Sequence, residues 1–167
     1  MTNIRLSRLP PTRRLFTGIW HQKIALVRSA LRAGADVDAR DDEGRSALHA
    51  LVFRDRLIRE TVLEKKPYLE VVDSSGETPL ISAVMKDHPE YAIDLINAGA
   101  NIYAKSCEGE SCLQIALDRG HAQLSERIQV REAEDLRCRL ERDTPYVMAN
   151  CGQSGSGLTI PKRPARL

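Results

Sequence analysis

Aromatic side chains are scarce in this chain: 4% of 167 residues, with one tryptophan and two phenylalanines. A core built on stacked rings is therefore excluded, and Leu, Ile, Val and Ala must supply it. No apolar run approaches the roughly 18–20 residues that a membrane span needs. Cys107, Cys112, Cys138 and Cys151 form no C-x-x-C pair, which removes the usual zinc and dithiol motifs. The plain reading is reduced thiols in a cytoplasmic protein, with a Cys107–Cys112 bridge left open on geometry. His21, His49, His88 and His121 are too scattered to gather a metal, and no Ser/His/Asp set or carboxylate pair converges at a defensible spacing. Gly152 to Thr159 approaches a phosphate-binding loop, but Leu158 replaces its lysine, and Pro161 and Pro164 deny the helix that would follow.

Acid is also missing at the start. Met1 to Ala35 holds no Asp or Glu, whereas Arg5, Arg8, Arg13, Arg14, Lys23, Arg28 and Arg32 are basic. Such a stretch is either an organelle transit peptide or the wet face of a terminal structural unit. Lys162, Arg163 and Arg166 raise the same question at the other end, for nucleic acid or an acidic surface. With a net charge of +2, acidic stretches between and no interleaved aromatics, solvated charge is the better reading.

What is present is a period. Gly44, Gly76 and Gly109 stand 32 and 33 residues apart, and Leu48, Leu80 and Leu113 keep the same steps. Gly34-Ala35 returns at Gly99-Ala100 after two periods. Thr78 is placed to cap a helix whose first position is Pro79, where a missing N–H costs nothing. Ser46 and Ser111 are expected to repeat that cap. Leu80, Ala83 and Val84 mark one face of a first helix; Ala92, Leu95 and Ile96 mark one face of a second. A hairpin of this size cannot bury its apolar side alone, so it must stack on the next copy.

A period of about 33 with a turn and two helices is a known repeat signature. Asp73-x-x-Gly76-x-Thr78-Pro79-Leu80-x-x-Ala83, closed by Leu95-Ile96-x-x-Gly99-Ala100, resembles the ankyrin repeat. The resemblance implies an all-α solenoid of helix-turn-helix units with β-hairpin fingers. It comprises about four repeats, with degenerate terminal ones. A basic N-terminal segment spans 1–12, and the repeats fall at about 13–35, 36–67, 68–100 and 101–131. A C-terminal capping helix follows to 143, because Leu124, Ile128, Leu136 and Leu140 recur at multiples of four. A flexible tail, rich in Gly, Ser, Pro and Arg, is expected at 144–167. Lys66-Pro67 replaces Gly-Ala at the end of the second repeat, which leaves that turn open. His49, by resemblance, hydrogen-bonds toward neighbouring backbone, and His88 and His121 belong to inter-helix turns.

The same resemblance implies a protein partner held on the concave face of finger tips and first helices. Carried over position by position, it selects Asp42, Glu43, Arg45, Phe53 and Arg54 in the second repeat. The third gives Ser74, Ser75, Glu77, Met85 and Lys86; the fourth gives Cys107, Glu108, Glu110, Asp118 and Arg119. Phe53 and Met85, 32 apart, form the apolar centre unless Phe53 turns inward. Glu77, Glu108 and Glu110 tilt the far half acidic. The expected function is a non-catalytic binding module, monomeric on its own, without cofactor, metal, small-molecule substrate or nucleic acid. A dedicated inhibitor or immunity-type protein that occludes an enzyme or toxin is the alternative. Catalysis enters only through the helix and tail after Ser125, which the repeats leave unexplained.

Overall fold

The computed structural model describes residues 9–41 and 44–143; Asp42, Glu43 and the expected tail at 144–167 lie outside the described residues, as does most of the basic segment. Eight helices occur among the described residues: α1 (Pro11–Trp20), α2 (Ile24–Arg32), α3 (Ala47–Ala50), α4 (Arg56–Leu63), α5 (Pro79–Met85), α6 (Pro89–Ala98), α7 (Cys112–Asp118) and α8 (Ala122–Asp143). They pair as four helical hairpins, and the segment to Glu132 forms one compact unit. The first helix begins two residues ahead of the expected Arg13, because Pro11 starts the helix at a position that needs no donor.

Each hairpin buries the face that its spacing marks out. Leu15, Leu48 and Leu80 are 0–1% exposed, as are Ile19, Val52 and Val84 one turn further on. Ala92, Leu95 and Ile96 are fully buried on the second helix of the third repeat. Side chains of one repeat also bond the backbone of the next. Asp36 N–H donates to Thr12 Oγ1 at 3.2 Å, Tyr68 N–H to Asp38 Oδ1 at 2.8 Å, and Asn101 N–H to Glu70 Oε1 at 2.8 Å. These are the nearest-neighbour contacts on which a repeat array depends.

The fingers are tight turns rather than strands. Arg40 pairs with Ser46, and Lys105 with Ser111, each as an isolated antiparallel bridge. Asp41, Asp73 and Ser106 open the turns and accept the N–H of Arg45, Glu77 and Glu110 on their own side-chain oxygens. Gly76 closes the middle finger at φ 78°, in the left-handed region that glycine enters freely.

Two expected details change. Thr78 and Ser111 cap their helices through their side chains, accepting from Ile81 and Gln114 N–H, but Ser46 does not. Its hydroxyl lies 2.9 Å from His49 Nδ1, and His49 Nε2 lies 3.0 Å from the Glu77 carbonyl of the following repeat. A carbonyl only accepts, so Nε2 carries the proton and Nδ1 accepts from Ser46. His49 thus bonds neighbouring backbone, as expected, and burial lowers its pKa.

At the second repeat's end, Lys66 takes a φ of 52° in the place that Gly99 holds at 103°. The turn is kept and a side chain bears its strain. An ordinary residue in this region costs roughly 1–2 kcal/mol, and the entropic handicap of glycine is about 0.5–1 kcal/mol. Lys66→Gly is therefore expected to raise the melting temperature, by about 2–4 °C for each kcal/mol gained. A lower melting temperature would show that the lysine stem contributes packing that outweighs its backbone.

The eighth helix is continuous over 22 residues. Leu124 and Ile128 are fully buried, and this stretch is the second helix of the last hairpin. Ala133 onward belongs to a second unit, in which Leu136 and Leu140 are 56% and 65% exposed.

Candidate protein-binding face

The first helices and fingers carry the residues selected from the sequence, and the structure gathers some of them. Arg45 stands on the second finger, paired with Asp41 at 3.0 Å, and its guanidinium lies 4.8 Å from the centre of the Trp20 ring. Arg54 approaches the same ring at 5.7 Å. Trp20, the last residue of α1, is therefore flanked by two cations, an arrangement in which the electron-rich ring face attracts each guanidinium. Trp20 is 43% exposed.

Phe53 does not turn inward. It is 58% exposed, in the turn that follows the short α3, with its ring edge-on to His88 of the next repeat at 4.6 Å. Met85, at the matching place on α5, is half-buried against the core. Trp20, Phe53 and Met85 stand 33 and 32 residues apart, so one register position carries a large apolar side chain in three successive repeats. Trp20 is the candidate for this face that position-by-position selection missed. The signal was available, because aligning Leu15 with Leu48 also aligns Trp20 with Phe53.

A cleft of about 540 Å³ opens beside this ridge at its N-terminal end. Phe16 and Trp20 from α1 and Arg40, Asp41 and Arg45 from the finger line it, with Thr12, Arg13 and Thr17 at the sides. Arg40 is fixed there by donating to the carbonyls of Gly44 and Val72, both at 2.6 Å.

The remaining selected residues are spread along the array. Ser74 and Ser75 are exposed at the third finger tip. Glu77 is half-buried behind it, its carboxyl held above the ordinary range by burial and by Asp73. Lys86 is exposed and donates to Ser82 Oγ at 2.8 Å. Cys107 and Glu108 are exposed on the fourth finger, with Glu110 half-buried. Asp118 accepts from Gln114 Nε2, and Arg119 sits 3.7 Å from Asp87. Asp87 also pairs with His121 at 2.7 Å, which gives this turn histidine a structural partner in the preceding repeat. Cys107 and Cys112 are both free thiols, so the bridge left open on sequence is not formed. Burial pushes the Cys112 thiol up to about 12, far from a reactive thiolate. Along the fingers one position reads Arg45, Glu77, Glu110, so its charge reverses from one end of the array to the other.

With stacked hairpins, glycine turns and fingers in place, comparison with known proteins gives the class. The family pattern for ankyrin repeats, in three copies, matches residues 16–106. The chain belongs to the ankyrin repeat family. It is 35% identical over 130 residues to the B-cell lymphoma 3 protein homolog of Mus musculus, which covers 75% of this chain and 28% of that protein. Over 95 residues it is 30% identical to the NF-kappa-B inhibitor zeta of Mus musculus, covering 54% of this chain and 13% of that one. Palmitoyltransferase AKR1 of Lachancea kluyveri is 33% identical over 84 residues, half of this chain but 11% of its own length. The chain thus spans between about a tenth and just over a quarter of these relatives. No helix among the described residues is long and apolar enough to cross a membrane.

Proposed function

We propose that this chain is a non-catalytic binding module that holds a partner protein on the face formed by its fingers and first helices. The observation that carries the reading is the ridge of Trp20, Phe53 and Met85. A half-exposed tryptophan and a more exposed phenylalanine at equivalent places in adjacent repeats form an apolar strip bordered by Arg45, Arg54, Lys86 and the finger tips Ser74 and Ser75. A large apolar centre within a charged rim is the anatomy of a protein-binding patch. Asp42, Glu43, Glu77, Cys107, Glu108, Glu110, Asp118 and Arg119 complete the rim in this reading.

Affinity capture from lysate of the native cells, comparing the wild type with Phe53→Ala/Met85→Ala, tests it. The pair is expected to weaken retention of the partner by about tenfold or more, as loss of central anchors does, with the helical circular dichroism unchanged. Equal retention by the folded variant would remove the face from consideration. Occlusion of an enzyme or toxin by the same surface is the second reading. It is favoured by the word inhibitor in the name of one relative, and a captured enzyme that keeps full activity while bound would discard it.

A further inference from the structure

We infer that the Trp20 cleft is the anchor subsite of this face, and that it takes a partner segment in which a carboxylate side chain sits beside an apolar one. The inference rests on the protein-binding reading and adds to it where the contact is centred and what chemistry meets it. Three observations converge. Trp20 is the largest side chain of α1, yet the residue stays 43% exposed at the mouth of a cleft of about 540 Å³. That volume lies in the range that accommodates one or two side chains rather than a flat contact. The buried Phe16 lies beneath it, so an apolar side chain entering the cleft meets Phe16 and Trp20 together.

Charge supplies the second part. Among the described residues, Arg13, Arg40 and Arg45 line the cleft against one carboxylate, Asp41, which Arg45 already holds at 3.0 Å. Arg40 donates to two neutral carbonyls, which offset none of the positive charge that it brings to the cleft. Arg54 does not line the cleft but reaches the Trp20 ring at 5.7 Å, and its Nε is buried with no hydrogen-bond acceptor. A buried guanidinium donor without an acceptor is costly, and a carboxylate is the acceptor that matches its planar fork. Because Arg45 and Arg54 both approach the Trp20 ring, at 4.8 and 5.7 Å, positive charge and apolar surface lie side by side at the mouth of the cleft.

Trp20 is the only tryptophan in the chain, which makes its emission a reporter of this cleft alone. A random, tryptophan-free peptide display library selected on the full chain supplies the probes. The enriched peptides are expected to carry Asp or Glu next to Phe, Leu or Met, and to shift Trp20 emission saturably. Arg54→Gln and Arg13→Gln are each expected to weaken that binding by about tenfold, the scale of one charge-assisted hydrogen bond. Arg54→Gln gives up its contact with the Trp20 ring, so circular dichroism of each variant checks that the helices are kept. Enriched peptides that are basic, or that leave Trp20 emission still while depending on Phe53, Met85 and Glu108, would overturn this subsite and leave the binding face standing. Enrichment of no peptide above background would overturn both.

Discussion

Asp94→Asn is expected to cost the fold about 3–5 kcal/mol, because it strands a buried cation. Arg59 on α4 and Asp94 on α6 join the second helices of adjacent repeats, with Nε and Oδ2 at 3.2 Å. Their side chains are 7% and 23% exposed. The two atoms are within ion-pair distance but off-axis for a hydrogen bond, so the attraction is Coulombic and leaves both groups partly unsatisfied. Arg59 also lies 5.5 Å from the ring of Tyr91, whose buried hydroxyl donates to the Leu48 carbonyl at 2.8 Å. Burial raises the Asp94 carboxyl above its ordinary range, and Arg59 only partly opposes this. Desolvation of both ions makes the pair costly to bury, so it is tolerable only while both members remain.

That reasoning sets a second arm for the same measurement. Arg59→Met with Asp94→Leu is expected to recover most of the stability lost by Asp94→Asn, since apolar replacements of similar size avoid the desolvation of both ions. Urea unfolding of the three proteins gives the comparison. Stability in a repeat array is a sum over units and interfaces, so the single variant should also split the transition. Trp20 emission reports the first repeat and circular dichroism reports all of them. An Asp94→Asn protein that unfolds within about 1 kcal/mol of the wild type would mean that water reaches Arg59 and that the pair is of surface type.

Features that depend on a few adjacent residues were legible in the sequence. The glycine of each finger, Thr78 before Pro79 and the Leu15, Leu48, Leu80 ladder follow from local backbone rules and a fixed period, and the structure reproduces them. What failed to show was whatever depends on the neighbour. Ser46 has the right type and place for a cap, but the next turn supplies a histidine that takes its hydroxyl. Lys66 occupies a glycine's conformation because the repeats on both sides fix where the chain must go. Arg59 and Asp94 are 35 apart, off the period, since second helices of adjacent repeats meet with a stagger. Leu136 and Leu140 keep a helical spacing, which establishes an apolar stripe without establishing that anything covers it. Trp20 was hidden for another reason. The sequence ahead of it has neither the finger glycine nor Thr-Pro, so only the leucine register leads to it.

The same register misleads at Gly18, and there the structure and the period make opposite predictions. Gly18 stands where Leu51, Ala83 and Ala116 stand in the later repeats, so the period treats alanine as the natural residue. Helix propensity agrees, favouring alanine over an interior glycine by about 0.5–1 kcal/mol. The packing of α1 on α2 does not. A Cβ at Gly18 would lie 2.9 Å from the Val27 backbone nitrogen and 2.9 Å from Val27 Cγ2, with Leu26 Cβ at 3.3 Å. A side chain can turn away; a backbone nitrogen inside a helix cannot, so α2 as a whole must shift. Overpacking of this kind costs typically 1–3 kcal/mol, more than propensity returns. Gly18→Ala is thus expected to destabilise the first repeat. Gly18→Val, which adds two methyls in the same place, should cost on the order of 3 kcal/mol. Because each repeat rests on its neighbour alone, the loss should appear first as a change in Trp20 emission, two residues along, before the later helices melt. Urea titrations followed by fluorescence and by circular dichroism read both signals. A Gly18→Ala chain more stable than the wild type would show that the hairpin opens freely, and that the Trp20 cleft has no fixed shape to offer a partner.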